Sequence, residues 1–165
     1  MRAIGKGSLA SLLAVGLHFT RIILLAAFIG LSIAMVVVPL VSLFMSAFGA
    51  GDIGVDAGDY IEISHHFVTF SVMLFVANRL LEILKTLRFG SPFVGENADR
   101  FRGVGYALLI GEGAKVAFGF LTLFIDSSAS INTSIITWLA IIAVFVLAEV
   151  FREGARMKEE QDLTV

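Results

Sequence analysis

Residues 22–48, IILLAAFIGLSIAMVVVPLVSLFMSAF, run for 27 positions without one charged side chain. At 1.5 Å per residue a helix over this stretch reaches roughly 40 Å, against about 30 Å of bilayer hydrocarbon. It is long enough to span with tilt or to protrude at one end. Pro39 lies inside it; its ring removes one backbone donor and marks a place for a kink. Arg2 and Lys6 before the stretch, and Ala47-Phe48-Gly49 at its end, imitate a cleaved leader. The apolar cores of leaders run only about 7–15 residues, so the segment reads as an uncleaved anchor.

Three further segments follow. Phe67–Leu84 is the second, with Asn78, Arg79 and Glu82 at its polar end. Val104–Ile125 is the third, interrupted by Glu112 and Lys115, and Ile131–Val150 is the fourth, with Trp138 inside and Glu149 near its end. Each has the length a membrane-crossing helix needs, and none alternates as a strand would. The expected fold class is all-α, a four-helix transmembrane bundle. Residues 1–165 are expected to form one integral membrane domain. Spans fall at about 22–48, 67–84, 104–125 and 131–150, with a loop at 85–103 and a tail at 151–165.

Composition agrees. Of 165 residues 58% are hydrophobic and 16% charged, and the mean hydropathy is +0.93. A soluble domain of this length needs far less apolar material for its core, so the excess points to a lipid-facing surface. A net charge of −2 provides no basic field for nucleic acid, and no direct nucleic-acid contact is expected. The absence of cysteine excludes disulfides, thiolate nucleophiles, Fe–S clusters and cysteine-based zinc sites.

Charge sorts the connections. Arg2, Lys6 and Arg21 precede or border the first span; Arg79, Lys85, Arg88, Arg100 and Arg102 flank the second connection; Arg152, Arg156 and Lys158 follow the last span. Lys115, the twelfth basic residue, lies inside the third span. The first connection holds Asp52, Asp56, Asp59 and Glu62, the third holds Asp126, and neither has a lysine or arginine. By the positive-inside rule both termini and the middle loop are expected to be cytoplasmic. Leu9, Leu12, Leu13 and Leu17 fall at helical spacing before the first span. They fit either a short interfacial helix or an extension of that span.

Glu112 and Lys115 are the candidates for intramembrane chemistry. Three residues apart, they share a helix face. An ion in hydrocarbon is costly, so such residues either neutralise a partner or serve a relay. Ala107, Gly111, Lys115 and Gly119 form an i+4 row, and small residues in such rows allow close helix approach. Lys115 would then face a neighbouring helix, where Asn78 or Glu149 could reach it. Asp59, Glu62 and His66 could line one face at the outer end of the second span. Adjacent His65 and His66 point about 100° apart, which argues against a shared metal ion. No metal, cofactor or catalytic residue is expected, since the P-loop, dinucleotide, nucleophile-elbow and zinc-protease patterns are all missing.

The cytoplasmic connection reads Arg88-Phe89-Gly90-Ser91-Pro92-Phe93-Val94-Gly95-Glu96-Asn97-Ala98-Asp99-Arg100-Phe101-Arg102. Gly90 suits a helix end, Ser91 a cap and Pro92 a first helical position. Asn97, Arg100 and Phe101 then share one contact face. After the last span, Glu149, Arg152, Glu153 and Arg156 are spaced to pair along a continuing helix. That tail ends Glu159-Glu160-Gln161-Asp162-Leu163-Thr164-Val165.

These two stretches carry a resemblance. The connection Gly-x-Pro-Phe…Glu-Asn…Arg-Phe-Arg-x-x-Gly matches at Gly90, Pro92, Phe93, Asn97, Arg100 and Gly105. The tail matches at Gly154, Glu160, Gln161, Asp162, Leu163 and Thr164. Together they resemble a bacterial family of four-span inner-membrane proteins catalogued only as a domain of unknown function. The resemblance implies an inner-membrane location and brings no activity or catalytic residues. It also implies a small helix-turn-helix regulator as a partner, since members are often encoded beside one.

The leading expectation is a non-enzymatic membrane regulator. It would hold a cytoplasmic partner through Arg88, Pro92, Phe93, Asn97, Arg100, Glu160, Gln161, Asp162, Leu163 and Thr164. The alternative is a small transporter or ion-coupled carrier using Glu112 and Lys115. Other expected partners are the lipid bilayer and further copies of the chain in a homo-oligomer.

Overall fold

The computed structural model describes residues 9–49, 57–89, 92–125 and 132–163. Asp52, Asp56, Gly90, Ser91, Asp126, Thr164 and the side chain of Arg88 lie outside the described residues. The described residues form four helices: α1 Leu9–Ala47, α2 Ala57–Phe89, α3 Gly95–Ile125 and α4 Ile135–Asp162. No strand occurs among the described residues. All four helices are long and apolar enough to cross a membrane, so the chain is an all-helical, multi-pass membrane protein.

The helices outrun their apolar segments for local reasons. α1 runs unbroken from Leu9 through Arg21 and Pro39, so the leucines before the first span belong to that span's own helix. Asp59 and Glu96 stand in the first turns of α2 and α3, where a carboxylate meets the positive end of the helix dipole. α4 begins four residues later than its apolar run suggests. Ser134 has extended backbone angles and its hydroxyl accepts from the Ile136 N–H at 3.3 Å, so it caps the helix. Beyond the last apolar residues α4 continues on pairs three apart, Arg152 with Glu149 and Arg156 with Glu153.

Packing follows the chain. Among the described residues α1 packs on α2, α2 on α3 and α3 on α4, and α1 does not meet α4. The bundle is thus an open row with α2 and α3 inside it. The buried apolar residues are Ala14, Ala77, Ile83, Ala98, Val104, Ile141, Ala148 and Ala155. Five of these eight are alanines, so the helices meet through small residues, as expected where lipid removes the hydrophobic drive between them. The bulky side chains face away, with Leu123 77%, Phe124 81% and Ile135 78% exposed.

Two glycines of α3 let its neighbouring helices come close. A Cβ on Gly111 would stand 3.4 Å from Val72 of α2, in the small-residue row the sequence marks. A Cβ on Gly105 would stand 2.8 Å from the Phe145 ring of α4. That ring is held edge-on by Tyr106, with centroids 5.3 Å apart. Gly105 therefore fits α4 only because it has no side chain.

Candidate functional site

Glu112 sits ten residues beyond Arg102 on α3, about 15 Å along the axis and so about half the hydrocarbon thickness. Its side chain is 3% exposed. Both carboxylate oxygens are engaged: Lys115 Nζ donates to Oε1 at 2.6 Å, and the Thr133 hydroxyl donates to Oε2 at 2.6 Å. Trp138 Nε1–H in turn donates to Thr133 Oγ1 at 2.9 Å. Glu112 is thereby neutralised by a lysine of its own helix and tied to the segment that enters α4.

This clamp bears on membrane depth. α3 continues thirteen residues past Glu112 to Ile125, about 20 Å. Yet Thr133, just ahead of α4, already stands beside Glu112. α4 therefore starts well inside the layer that α3 crosses. Polar backbone at such depth must find partners. Here Ser134 O accepts from the N–H groups of Thr137 and Trp138, while Ser134 Oγ takes that of Ile136.

Sequence spacing finds the Glu112–Lys115 pair and misses Thr133 and Trp138. Thr133 is obscured because the apolar run of the fourth span is read from Ile131; the polar triplet Asn132-Thr133-Ser134 is the signal that could have placed it. Asn78 and Glu149 do not hold Lys115. Asn78 lines a groove between α1 and α2, and Glu149 pairs with Arg152.

At the α2 end nearest Ala57, His65 lies edge-on to Phe118, with ring centroids 6.1 Å apart. Helix α2 does extend far enough to align Asp59, Glu62 and His66, which line a shallow groove with Val38 and Ile63. His66 Nε2 stands 3.8 Å from Glu62 Oε1. No group of three side chains suited to a metal ion occurs among the described residues.

The opposite end holds a larger polar network. Asn97 is completely buried. Its Nδ2 donates to Thr86 Oγ1 at 2.7 Å and to the Pro92 carbonyl at 3.0 Å, and its Oδ1 accepts from Arg100 Nη1 at 2.8 Å. Arg100 also reaches Glu82 at 3.3 Å and Glu96 at 3.0 Å, and Arg79 donates to Glu82 at 2.9 Å. Arg79 lies over the Phe75 ring, 5.1 Å from its centroid. Sequence spacing predicts that Asn97 and Arg100 form a contact face for a partner. The structure turns Asn97 inward, where it ties Pro92 to α2, and commits Arg100 to carboxylates of α2 and α3.

Phe93 closes this assembly onto α4. Its ring sits against Gly154, where a Cβ would come within 2.5 Å of Cδ1. It also stands 5.7 Å from the Phe151 ring, which meets Phe101 at 4.8 Å. Connection and tail are therefore one packed unit, with Gly154 as the notch for Phe93. Past the notch, Glu159, Glu160, Gln161 and Asp162 are exposed, and Leu163 is 87% exposed.

Known proteins add one finding. No curated protein and no solved structure matches the chain. Residues 63–165 match a protein family over a segment that begins within α2 and includes the Asn97 network, the Glu112 clamp and the Gly154 notch. Since the match covers more than half of the sequence, the chain belongs to the family described as DUF2975, protein of unknown function.

Proposed function

We propose that this integral membrane protein is a non-enzymatic regulator in a bacterial inner membrane, holding a soluble partner on its cytoplasmic side. The observation that carries the reading is the seat of Phe93 on Gly154. It braces the start of the tail, so that α4 runs on as a helix to Asp162 and presents an acidic, exposed end. An anionic leaflet would repel Glu153, Glu159, Glu160 and Asp162; a protein surface with basic groups would accept them. The partner class is the small helix-turn-helix regulator that the resemblance implies. Asn97 and Arg100 serve this surface indirectly, by fixing the connection against α2. The open side between α1 and α4 leaves room for a second copy of the chain.

The orientation rests on the charge asymmetry, with eleven of twelve basic residues at one end. Cysteines introduced at Asp56 or Asp126 should react with an impermeant thiol reagent in intact cells, and a cysteine at Lys158 should not. The reverse pattern would overturn the orientation.

Truncation after Met157 tests the regulator itself. The cut spares Phe93, Phe151 and Gly154 and removes no span. Insertion and melting should therefore stay nearly unchanged while partner capture is lost. Capture of the same partners by the shortened chain would reduce the tail to a solvated end. A large fall in melting temperature would make it a structural brace. The carrier alternative calls on Glu112 and Lys115, and engagement of both Glu112 oxygens favours a clamp over a transit site.

A further inference from the structure

On α1, Ala14, Leu17, Leu24, Phe28 and Leu31 form a buried to half-buried stripe at helical spacing, and the Phe28 ring lies tilted against that of Phe67 in α2, with centroids 4.7 Å apart. Arg21 falls at helical spacing within this stripe, between Leu17 and Leu24. An arginine cannot close such a seam as a leucine does, and here the two helices part. The groove between them encloses about 600 Å³ and is lined by His18, Arg21, Asn78, Leu81, Glu82 and Lys85, with Ala14 at its end. That volume suits a small ligand or headgroup, whose pockets run about 300–1,000 Å³.

Its charge is unbalanced. Arg79, Arg100, Lys115, Arg152 and Arg156 each hold a carboxylate. Among the described residues neither Arg21 nor Lys85 holds one. The groove's single carboxylate, Glu82, is already shared by Arg79 at 2.9 Å and Arg100 at 3.3 Å. Two more polar groups face the same space. Asn78 offers an amide. His18 donates from Nδ1 to the Ala14 carbonyl at 2.9 Å, a bond only that tautomer can make, so Nε2 is its remaining polar atom.

Position supplies the second argument. Arg21 immediately precedes the charge-free run of α1, and Lys85 immediately follows the apolar segment of α2. Both therefore stand at the hydrocarbon boundary, the level of phospholipid phosphates. Above them α1 offers exposed apolar side chains to acyl chains, with Ile22 64% and Ile29 57% exposed. We propose that this groove is a binding site for the phosphate of an anionic phospholipid, held between Arg21 and Lys85 with its acyl chains along α1. Basic recesses between membrane helices on the cytoplasmic side recognise anionic headgroups in this way.

The test uses the full chain purified in neutral detergent, with melting followed as phosphatidylglycerol, phosphatidylcholine or inorganic phosphate is added. Phosphatidylglycerol at a hundredfold excess over its Kd should raise the melting temperature by about 5–10 °C, and phosphatidylcholine should not. Arg21→Gln/Lys85→Gln should weaken the phosphatidylglycerol response at least tenfold, whereas Arg152→Gln should leave it intact. Equal shifts with both lipids, an undiminished response in the double variant, or the same loss in Arg152→Gln would overturn the site. An equal shift with inorganic phosphate alone would overturn the lipid assignment in favour of a soluble phosphate. Should the double variant fail to fold, native mass spectrometry of the unaltered chain decides. Selective retention of phosphatidylglycerol supports the site, and equal retention of both lipids refutes it.

Discussion

Replacing Lys115 by methionine will destabilise the protein by about 3–5 kcal/mol, the cost of leaving one partner of a buried ion pair unmatched. The lower end is expected, because the Lys115 side chain is 26% exposed while that of Glu112 is 3% exposed. The remaining carboxylate keeps only the Thr133 hydroxyl. Glu112→Gln/Lys115→Met should be more stable than Lys115→Met alone, since a glutamine amide still accepts from Thr133 without a charge in hydrocarbon. Thr133→Ala should cost less, about 1–2 kcal/mol, and should act by loosening the entry to α4. A double-mutant cycle in detergent, read by thermal or denaturant unfolding, measures the coupling. Zero coupling would dissolve the clamp into two independent residues. Lost output in a double variant that folds normally would favour the carrier.

Asn97→Leu is expected to have the other large effect. Leucine comes close in volume but withdraws two donors and one acceptor from a site closed to solvent. The Pro92 carbonyl and the Arg100 guanidinium each lose a partner. At about 1–3 kcal/mol for each buried polar group left unpaired, a loss of about 2–6 kcal/mol follows. The connection should also detach. Phe93 reaches Gly154 from the segment that Asn97 ties to α2, so protease cleavage between residues 88 and 96 should rise sharply. Unfolding in denaturant and limited proteolysis of the purified chain check both effects. A variant that unfolds and resists protease like the parent would show that the Asn97 network does not hold the connection.

The number of helices and their apolar character were legible because charge-free runs of this length suit hydrocarbon and little else. Helix ends were less legible. Ser134 looks like part of a span until its hydroxyl is found capping α4, and the α1 extension holds no breaker to separate it from the span. The Glu112–Lys115 pair was visible because it is local, three residues apart on one helix. Thr133 was hidden because its bond to Glu112 bridges 21 positions. Asn97 shows the same limit differently: its spacing beside Arg100 and Phe101 marks a face correctly, but spacing cannot say whether that face looks into the protein or away from it. Gly154 stands out in the tail, yet its use as a notch depends on an aromatic ring from another connection. The α1–α2 groove was invisible, because Arg21 and Lys85 lie 64 positions apart and each, taken alone, reads as a determinant of orientation.

The chain-order row of helices carries a consequence for biogenesis. Among the described residues no helix packs on one more than one place away in the chain, so each can find its neighbour as soon as that neighbour leaves the ribosome. The α2–α3–α4 part is held by the Asn97 network at one end and the Glu112 clamp at mid-depth, and neither uses a residue of α1. The first helix can thus enter the bilayer and wait there, docking when α2 arrives, since among the described residues its one helix seam is with α2. The family match beginning at residue 63 leaves out this first helix and the first turns of α2.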